Sequence, residues 1–369
     1  MLTRLEAESF RNLAPLSWEP GPGRHLLTGG NGAGKTSLLE AVYAVATTRS
    51  FRTPRLAECV RHGAAGFRLA AEVEDDARTS LAVTYSPEGS GLGREVNGAR
   101  VPLAEHLEAL PVVSWTSEDV AVVTGPPARR RRFLDRGVVS LRPGALGVLR
   151  RYRDALREKR ELLARPRSAT SSRGPADASL EAWNRVLAGA AVEVARLRSA
   201  YAGAVEEELR RVLGEAGLPF PPVTLAYRPS PAAARESEEE VFARLAGAAT
   251  AERRRRIPLV GPHRDELEVG WGDRPASQVA SAGERKALSL ALAAAHGRVL
   301  GRAGRETVHL LDDLDAELAP DTLAALWRVF DGVRQLVATS NRPAVWDPLD
   351  IDHRWTVRDG RVERNSQPP

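Results

Sequence analysis

Gly29-Gly30-Asn31-Gly32-Ala33-Gly34-Lys35-Thr36 is a complete phosphate-binding loop, and its flanks are of the kind such a loop requires. Arg24-His25-Leu26-Leu27-Thr28 before it reads as a strand, and 37–46 after it as a helix. Closely spaced glycines let backbone N–H groups turn toward phosphate oxygens, where side chains would block them. The lysine ammonium then reaches the terminal phosphates, and a following hydroxyl is placed for Mg²⁺. The helix N-terminus adds partial positive charge at the same point. The nucleotide-binding set expected here is Gly29, Gly30, Asn31, Gly32, Ala33, Gly34, Lys35, Thr36 and Ser37, with Lys35 also serving catalysis.

Two later motifs extend this reading. In Val308-His309-Leu310-Leu311-Asp312-Asp313 an apolar strand ends in two carboxylates. Asp312 is expected to hold Mg²⁺ together with Thr36, and Asp313 to orient or deprotonate the attacking water. The turn Ser281-Ala282-Gly283-Glu284 precedes the apolar helix that starts at Ala287. Its hydroxyl and free N–H groups suit a γ-phosphate, although Ser281 would also serve as an ordinary helix N-cap. Three motifs in this order point to an ATPase head with ATP and Mg²⁺ as cofactors.

Composition restricts the class further. The 369 residues are 43% hydrophobic and carry a net charge of +5, which permits an anionic partner without demanding one. The longest apolar stretch, Ala287 to Ala295, is too short to span a membrane, and the first residues lack the layout of a secretory signal, so a cytoplasmic location is expected. Cys59 is the only cysteine, which excludes a disulfide framework and a cysteine zinc site. The only lysines are Lys35, Lys159 and Lys286, and Lys35 in so arginine-rich a chain suggests a site that specifically needs a compact ammonium.

Up to about Ser117 the pattern is mostly strand: Phe67, Leu69, Ala71 and Val73 alternate, then Leu81, Val83 and Tyr85, with a hairpin signal at Asn97-Gly98. Beyond Gly125-Pro126-Pro127 the period is helical. Leu149, Tyr152, Leu156 and Leu163 form one stripe; Trp183, Val186, Ala190, Val194, Leu197, Tyr201, Val205 and Val212 form another. Pro166 to Ser179 reads as a loop between them, and a third helix is expected from Glu236 to Arg256. The fold class expected is α/β: an ATPase lobe split in sequence between 1–120 and 258–369, with a mainly helical arm domain, 121–257, inserted in it.

Two arginine runs ask for different explanations. Arg253 to Arg256 closes a helix that opens with glutamates, so both ends complement the helix dipole. Arg129, Arg130, Arg131 and Arg132 follow a double proline and occupy first helical turns, where cations oppose the dipole. Either an internal ion-pair network or a DNA phosphate backbone must offset them.

The three motifs resemble those of ABC-type ATPase heads shared with SMC-like chromosome and repair proteins. Phe10-Arg11-Asn12-Leu13, Arg49-Ser50-Phe51-Arg52-Thr53, Ser117-Glu118-Asp119, the stretch from Gly125 to Asp135 and Gly261-Pro262-His263-Arg264-Asp265 narrow the resemblance to the RecF family. It implies a slow, DNA-stimulated ATPase that forms an ATP-dependent homodimer, each nucleotide lying between the P-loop of one subunit and the Ser281 turn of the other. It implies binding to duplex DNA or duplex/single-strand junctions in recombinational repair and replication restart, with RecO and RecR as partners in loading RecA. Arg11 and Asn12 correspond to residues that approach nucleotide in related heads; for Arg11 a solvated strand-end charge is the other reading. Gly261 to Asp265 is either a turn with a structural Arg264-Asp265 pair or a ligand contact.

The chain also departs from the pattern. Ser117 replaces a proline, no glutamine marks a Q-loop, Ala319 stands where an aspartate is usual, and Thr339-Ser340 stand where transporter ATPases have a histidine. A transporter ATPase subunit is the rival reading.

Overall fold

Strand Gly23–Thr28, which delivers the phosphate-binding loop, lies inside a six-stranded sheet ordered Arg361–Arg364, His353–Arg358, Gly23–Thr28, Gln335–Ser340, Val308–Leu311, Val112–Trp115. All pairings are parallel except that of the edge strand Arg361–Arg364. This is a computed structural model, and it describes residues 1–75, 77–89, 91–165, 175–230 and 237–365, without the side chains of 175–177. Leu26 pairs with Ala338 and Leu311 with both Ala338 and Trp115, so the strand ends that carry the P-loop, Asp312 and Thr339 come out side by side.

A second six-stranded sheet is antiparallel, ordered Leu16–Trp18, Leu2–Glu8, Phe67–Glu74, Arg78–Ser86, Gly91–Val96, Ala99–Arg100. Phe67, Leu69, Ala71, Val73, Leu81 and Val83 are all buried, as their alternation requires. The hairpin at Asn97-Gly98 has positive φ at both residues, 51° and 75°, the condition for a two-residue turn whose twist matches its strands. The P-loop helix, Lys35–Thr47, shares one core with residues of both sheets. Every residue from Ser37 to Ala46 is buried, which explains a helix with no polar face. Gln335 joins the sheets, its amide accepting from Leu2 N at 2.8 Å and donating to Leu2 O at 2.8 Å.

The chain forms two compact units: one of residues 1–120, 208–219 and 281 onward, the other of 121–207 and 220–280. The segment 258–280, expected in the ATPase lobe, thus packs with the helical unit. The reason is a small antiparallel sheet in which Glu266–Trp271 pairs with Val223–Arg228 and Arg274–Pro275. In that unit, helix Leu146–Ala164 shares a core with the first part of helix Pro175–Ala216 and with helix Glu238–Arg255, through Tyr152, Leu156, Leu187, Ala191, Val194, Val241 and Leu245. Val186, expected on the buried stripe, is 41% exposed, and Leu187 and Ala188 take the inward positions. Of the loop expected from Pro166 to Ser179, residues 166–174 lie outside the described residues, and the chain is helical from Pro175. The third helix starts at Glu238, capped by Ser237 in a reciprocal bond pair with Glu240; Glu236 lies outside the described residues.

Gly261 to Asp265 is held by a buried polar network. Gly261, at φ 130°, lies where a Cβ would come within 2.6 Å of the Tyr152 hydroxyl. Asp265 accepts from Arg198 Nη1 at 2.9 Å, from Ser230 N at 2.7 Å and from the Tyr227 hydroxyl. Arg198 also donates to Asp135 at 2.8 Å and to Pro262 O at 2.6 Å. The pair expected between Arg264 and Asp265 is therefore Arg198 with Asp265. Burial raises the Asp265 carboxyl above the ordinary carboxylate range, against the opposing pull of Arg198. Removing one partner of such a pair leaves a buried charge uncompensated, so Arg198→Met should cost about 3–5 kcal/mol. Urea unfolding of Arg198→Met and of the double variant Arg198→Met/Asp265→Asn checks this. The double variant should recover part of the loss, and a single variant as stable as the wild type contradicts the assignment.

The same network takes up two of the residues Arg129 to Arg132. Arg130 makes a two-pronged ion pair with Glu266 at 2.6 and 3.0 Å, and Arg131 donates to Asp265 O at 2.8 Å. Two of the four arginines are occupied inside their own unit.

Candidate nucleotide site

The P-loop backbone takes conformations that only glycine adopts freely: φ is 149° at Gly29, 77° at Gly32 and 115° at Gly34. A Cβ on Gly29 would meet Val357 O at 2.2 Å, so that position is closed to side chains twice over. Gly34 is the N-cap of the helix and offers no side-chain cap, which leaves first-turn N–H groups for an anion.

Asn12 braces the loop, donating to Gly32 O at 2.7 Å and accepting from Ser37 Oγ at 2.7 Å. The turn of the final hairpin braces it again, Gly360 N donating to Ala33 O at 2.8 Å. Lys35 Nζ donates to Gly29 O at 2.7 Å and Gly30 O at 3.0 Å. Burial lowers its basicity, with Asp313, Asp312 and Asp315 acting in the opposite direction.

Thr36 and Asp312, the two residues expected to share Mg²⁺, lie together, Thr36 Oγ1 donating to Asp312 Oδ1 at 2.9 Å. A third residue joins them: Thr339 Oγ1 donates to the same Asp312 oxygen at 2.8 Å and accepts from Asp313 N at 2.8 Å. Thr339, at the position of the missing histidine, is thus the link between the two acidic residues. Burial raises the Asp312 carboxyl, while the Thr339 and Thr36 hydrogen bonds lower it. Asp313 is exposed and has φ 52°.

An open cleft of about 570 Å³ lies over this array, lined by residues 31–37, Arg11, Asn12, Arg52, Val60, His62, Ser117, Asp312, Asp313, Thr339 and Asn341. Arg11 is not a solvated charge. It clasps the fully buried Glu40 of the P-loop helix at 2.6 and 2.8 Å and donates to Glu58 O at 2.6 Å. Ser50 also donates to Glu40, and Arg52 approaches it at 3.4 Å while remaining half exposed. Glu40 is the hidden centre around which the motifs at 10–13 and 49–53 fold. Nothing in the sequence flags it except a carboxylate in an otherwise apolar helix.

The Ser281 turn does not line the cleft. Ser281 caps helix Ala282–Arg302: its hydroxyl accepts from Glu284 N at 3.3 Å, and Glu284 returns a bond to Ser281 N at 2.7 Å. Ser281 and Ala282 are exposed. From the same helix the buried Lys286 donates to the Ala316 carbonyl and, at 3.4 Å, to Asp313 O, with its ammonium 5.3 Å from the Trp115 ring centroid. The helix behind the turn thereby holds the backbone of the loop that follows Asp312. Asp315 in that loop is buried, with Arg342 at 3.7 Å and, among the described residues, neither carboxylate oxygen hydrogen-bonded.

Among the described residues no group of three or more histidine, cysteine or acidic side chains is placed to hold a metal ion. Thr36 and Asp312 together provide two hard oxygen donors, a set that suits Mg²⁺ completed by phosphate oxygens and water.

The model of the RecF/RecN/SMC N terminal domain matches residues 1–347. The DNA replication and repair protein RecF of Acidothermus cellulolyticus is 35% identical over 376 residues, covering 98% of each chain. That of Streptomyces avermitilis is 33% identical, covering 98% of this chain and 99% of its own. Among solved structures, the recombination mediator protein RecF-ATPrS in the RecFOR pathway superposes with a TM-score of 0.88 at 22% identity, covering 99% of this chain and 98% of that one. An Smc head bound to the C-winged helix domain of ScpA gives 0.57 at 15% identity, covering 99% and 97%. Among the described residues no helix is long and apolar enough to cross a membrane.

Proposed function

Because this chain belongs to the RecF family, we propose that it is a cytoplasmic Mg-ATP-dependent DNA-binding protein of recombinational repair and replication restart. It forms an ATP-gated homodimer on duplex or gapped DNA and works with RecO and RecR to load RecA. The observation that carries the ATPase reading is the chain Thr36–Asp312–Thr339–Asp313, which joins the P-loop helix to both acidic residues at the floor of one cleft. The solved RecF structures with ATP and ATPrS support ATP as the nucleotide.

Backbone N–H groups of residues 30–34 receive the phosphates, and Lys35 exchanges the Gly29 and Gly30 carbonyls for β- and γ-phosphate oxygens. Thr36 and Asp312 would hold Mg²⁺, whose charge would offset that of the phosphate oxygens. Asp313 orients and deprotonates the attacking water. Arg11 positions the loops around Glu40 and keeps one edge of the cleft basic. The exposed Ser281 turn, with Ala282, Gly283 and Glu284, serves the nucleotide of a second subunit, and hydrolysis releases the dimer. A transporter subunit is disfavoured by the family match and by Thr339 at the histidine position.

Sizing the protein with and without Mg-ATP and duplex DNA tests the whole reading: nucleotide should convert monomer to dimer, and a monomer under every condition refutes it. Action in trans has its own test. Lys35→Ala and Ser281→Arg subunits should each be inactive, yet their mixture rebuilds one intact site per heterodimer. ATP turnover in the mixture that never exceeds the sum of the separate variants, with subunit exchange demonstrated, argues against it.

A further inference from the structure

We infer that the end of helix Glu238–Arg255, together with Arg160 and Arg264, is a duplex-backbone-binding surface of the helical unit. The inference rests on the DNA-binding reading above and locates it. Between 253 and 264 the sequence has five arginines and no acidic residue. A helix C-terminus carries only about half a unit of negative charge, which one cation already exceeds, so the others repel one another. Arg254, Arg255, Arg256, Arg264 and Arg160 are all exposed, and among the described residues none of them forms an ion pair.

Three contacts bring them together. Lys159 pairs with Glu252 at 2.7 Å, both fully buried, fastening the residue before Arg160 to the last turn before the run. Glu252 also accepts from Leu259 N at 2.7 Å, and Arg264 Nη1 donates to Pro258 O at 3.3 Å, folding 258–264 back over that turn. Burial lowers the His263 imidazole to about 4, and the charges of Arg160, Arg264 and Lys159 act on it in the same direction. Glu252, the acidic residue preceding the run, is already committed to Lys159, so the surface keeps its positive charge.

The partner's chemistry follows from what surrounds these guanidinium groups. Among the described residues Ile257 is the one large exposed hydrophobic side chain of the patch, too little for the apolar centre of a protein–protein interface. Among the described residues no exposed aromatic side chain accompanies it, so stacking on unpaired bases finds no support there. A row of arginines without either fits a phosphate backbone. By contrast Arg130 and Arg131, in the other run, are occupied by Glu266 and Asp265.

The test is equilibrium binding of two unrelated duplexes by full-length protein with Mg-ATP across a salt series, comparing wild type, Arg254→Gln/Arg255→Gln and Arg160→Gln/Arg264→Gln. Each double variant should weaken both duplexes equally and flatten the log-log salt slope by about 0.9 for each phosphate that is no longer neutralised. ATP binding should be unchanged in both variants; the thermal midpoint should be unchanged in Arg254→Gln/Arg255→Gln and fall slightly at most in Arg160→Gln/Arg264→Gln, where the long bond from Arg264 to Pro258 O is given up. Unchanged affinity and slope in both variants, beside salt-sensitive binding by the wild type, overturns this surface alone. Absence of duplex binding by the wild type overturns the DNA-binding reading as well. Polyglutamate bound as tightly as duplex, with both double variants failing to bind it, overturns the inference in favour of an acidic protein.

Discussion

Lys35→Ala is expected to weaken Mg-ATP binding by about 100-fold or more, and ATP-induced dimer formation should fail with it. A charge-assisted hydrogen bond contributes about 1.5–3 kcal/mol, and Lys35 is assigned two, one to each terminal phosphate. The ammonium already donates to Gly29 O and Gly30 O, so part of that gain replaces bonds it has to release. This exchange sets the estimate near the lower end, since about 1.4 kcal/mol is tenfold in affinity. Electrostatics add to the loss: without Lys35, the carboxylates of Asp312, Asp313 and Asp315 meet the triphosphate with less compensation. Arginine should not rescue the site, because a planar guanidinium cannot occupy the seat of a compact ammonium between two carbonyls. Equilibrium titration with a fluorescent ATP analogue and sizing with Mg-ATP decide the matter. Near-wild-type affinity and intact dimerisation in the alanine variant would remove Lys35 from the site.

The parts of the site that could be read from sequence are those whose chemistry is confined to a short stretch. The P-loop needs glycine torsions at fixed offsets, and the pair Asp312-Asp313 must end an apolar strand, so each leaves a local signature. The contacts made by Thr339, Glu40 and Lys286 leave none, because each acts on a residue brought near by the sheet or by helix packing. Thr339 reaches Asp312 only because Leu311 and Ala338 are in register on adjacent parallel strands. Lysine scarcity did hold a usable signal. All three lysines occupy special seats: Lys35 on the P-loop carbonyls, Lys286 on the loop after Asp312, and Lys159 against Glu252.

The fold follows the same division. Alternation placed the antiparallel strands because one face of that sheet is buried, and helical period placed the long helices. The membership of 258–280 depended on pairing with Val223–Arg228, about 40 residues earlier, which no local pattern announces. The partners of Arg130 and Arg131 were hidden for a similar reason. Dipole arguments consider only a helix's own ends, whereas Glu266 and Asp265 come to Arg130 and Arg131 from a distant segment.

Asp313→Asn should bind ATP normally, dimerise, and hydrolyse about 10²- to 10⁴-fold more slowly, the range general-base catalysis contributes. The backbone of Asp313 is held on both sides, its N–H by Thr339 and its carbonyl by Lys286, so the place of the side chain is set independently of its charge. Its φ of 52° lies in the left-handed region, which asparagine tolerates as well as aspartate does. The substitution therefore leaves the conformation undisturbed and changes the basicity. The carboxylate takes no hydrogen bond among the described residues and lines the cleft, so it is available to a water molecule there. Asp312→Asn should behave differently, because Asp312 is bonded to both Thr36 and Thr339, and its loss should weaken the Mg²⁺ dependence of ATP binding itself. Single-turnover hydrolysis alongside sizing separates the two: Asp313→Asn should persist as an ATP-bound dimer, and Asp312→Asn should form that dimer poorly. Wild-type turnover by Asp313→Asn would falsify its role as the base and pass that role to Glu317, the next exposed carboxylate of the same loop.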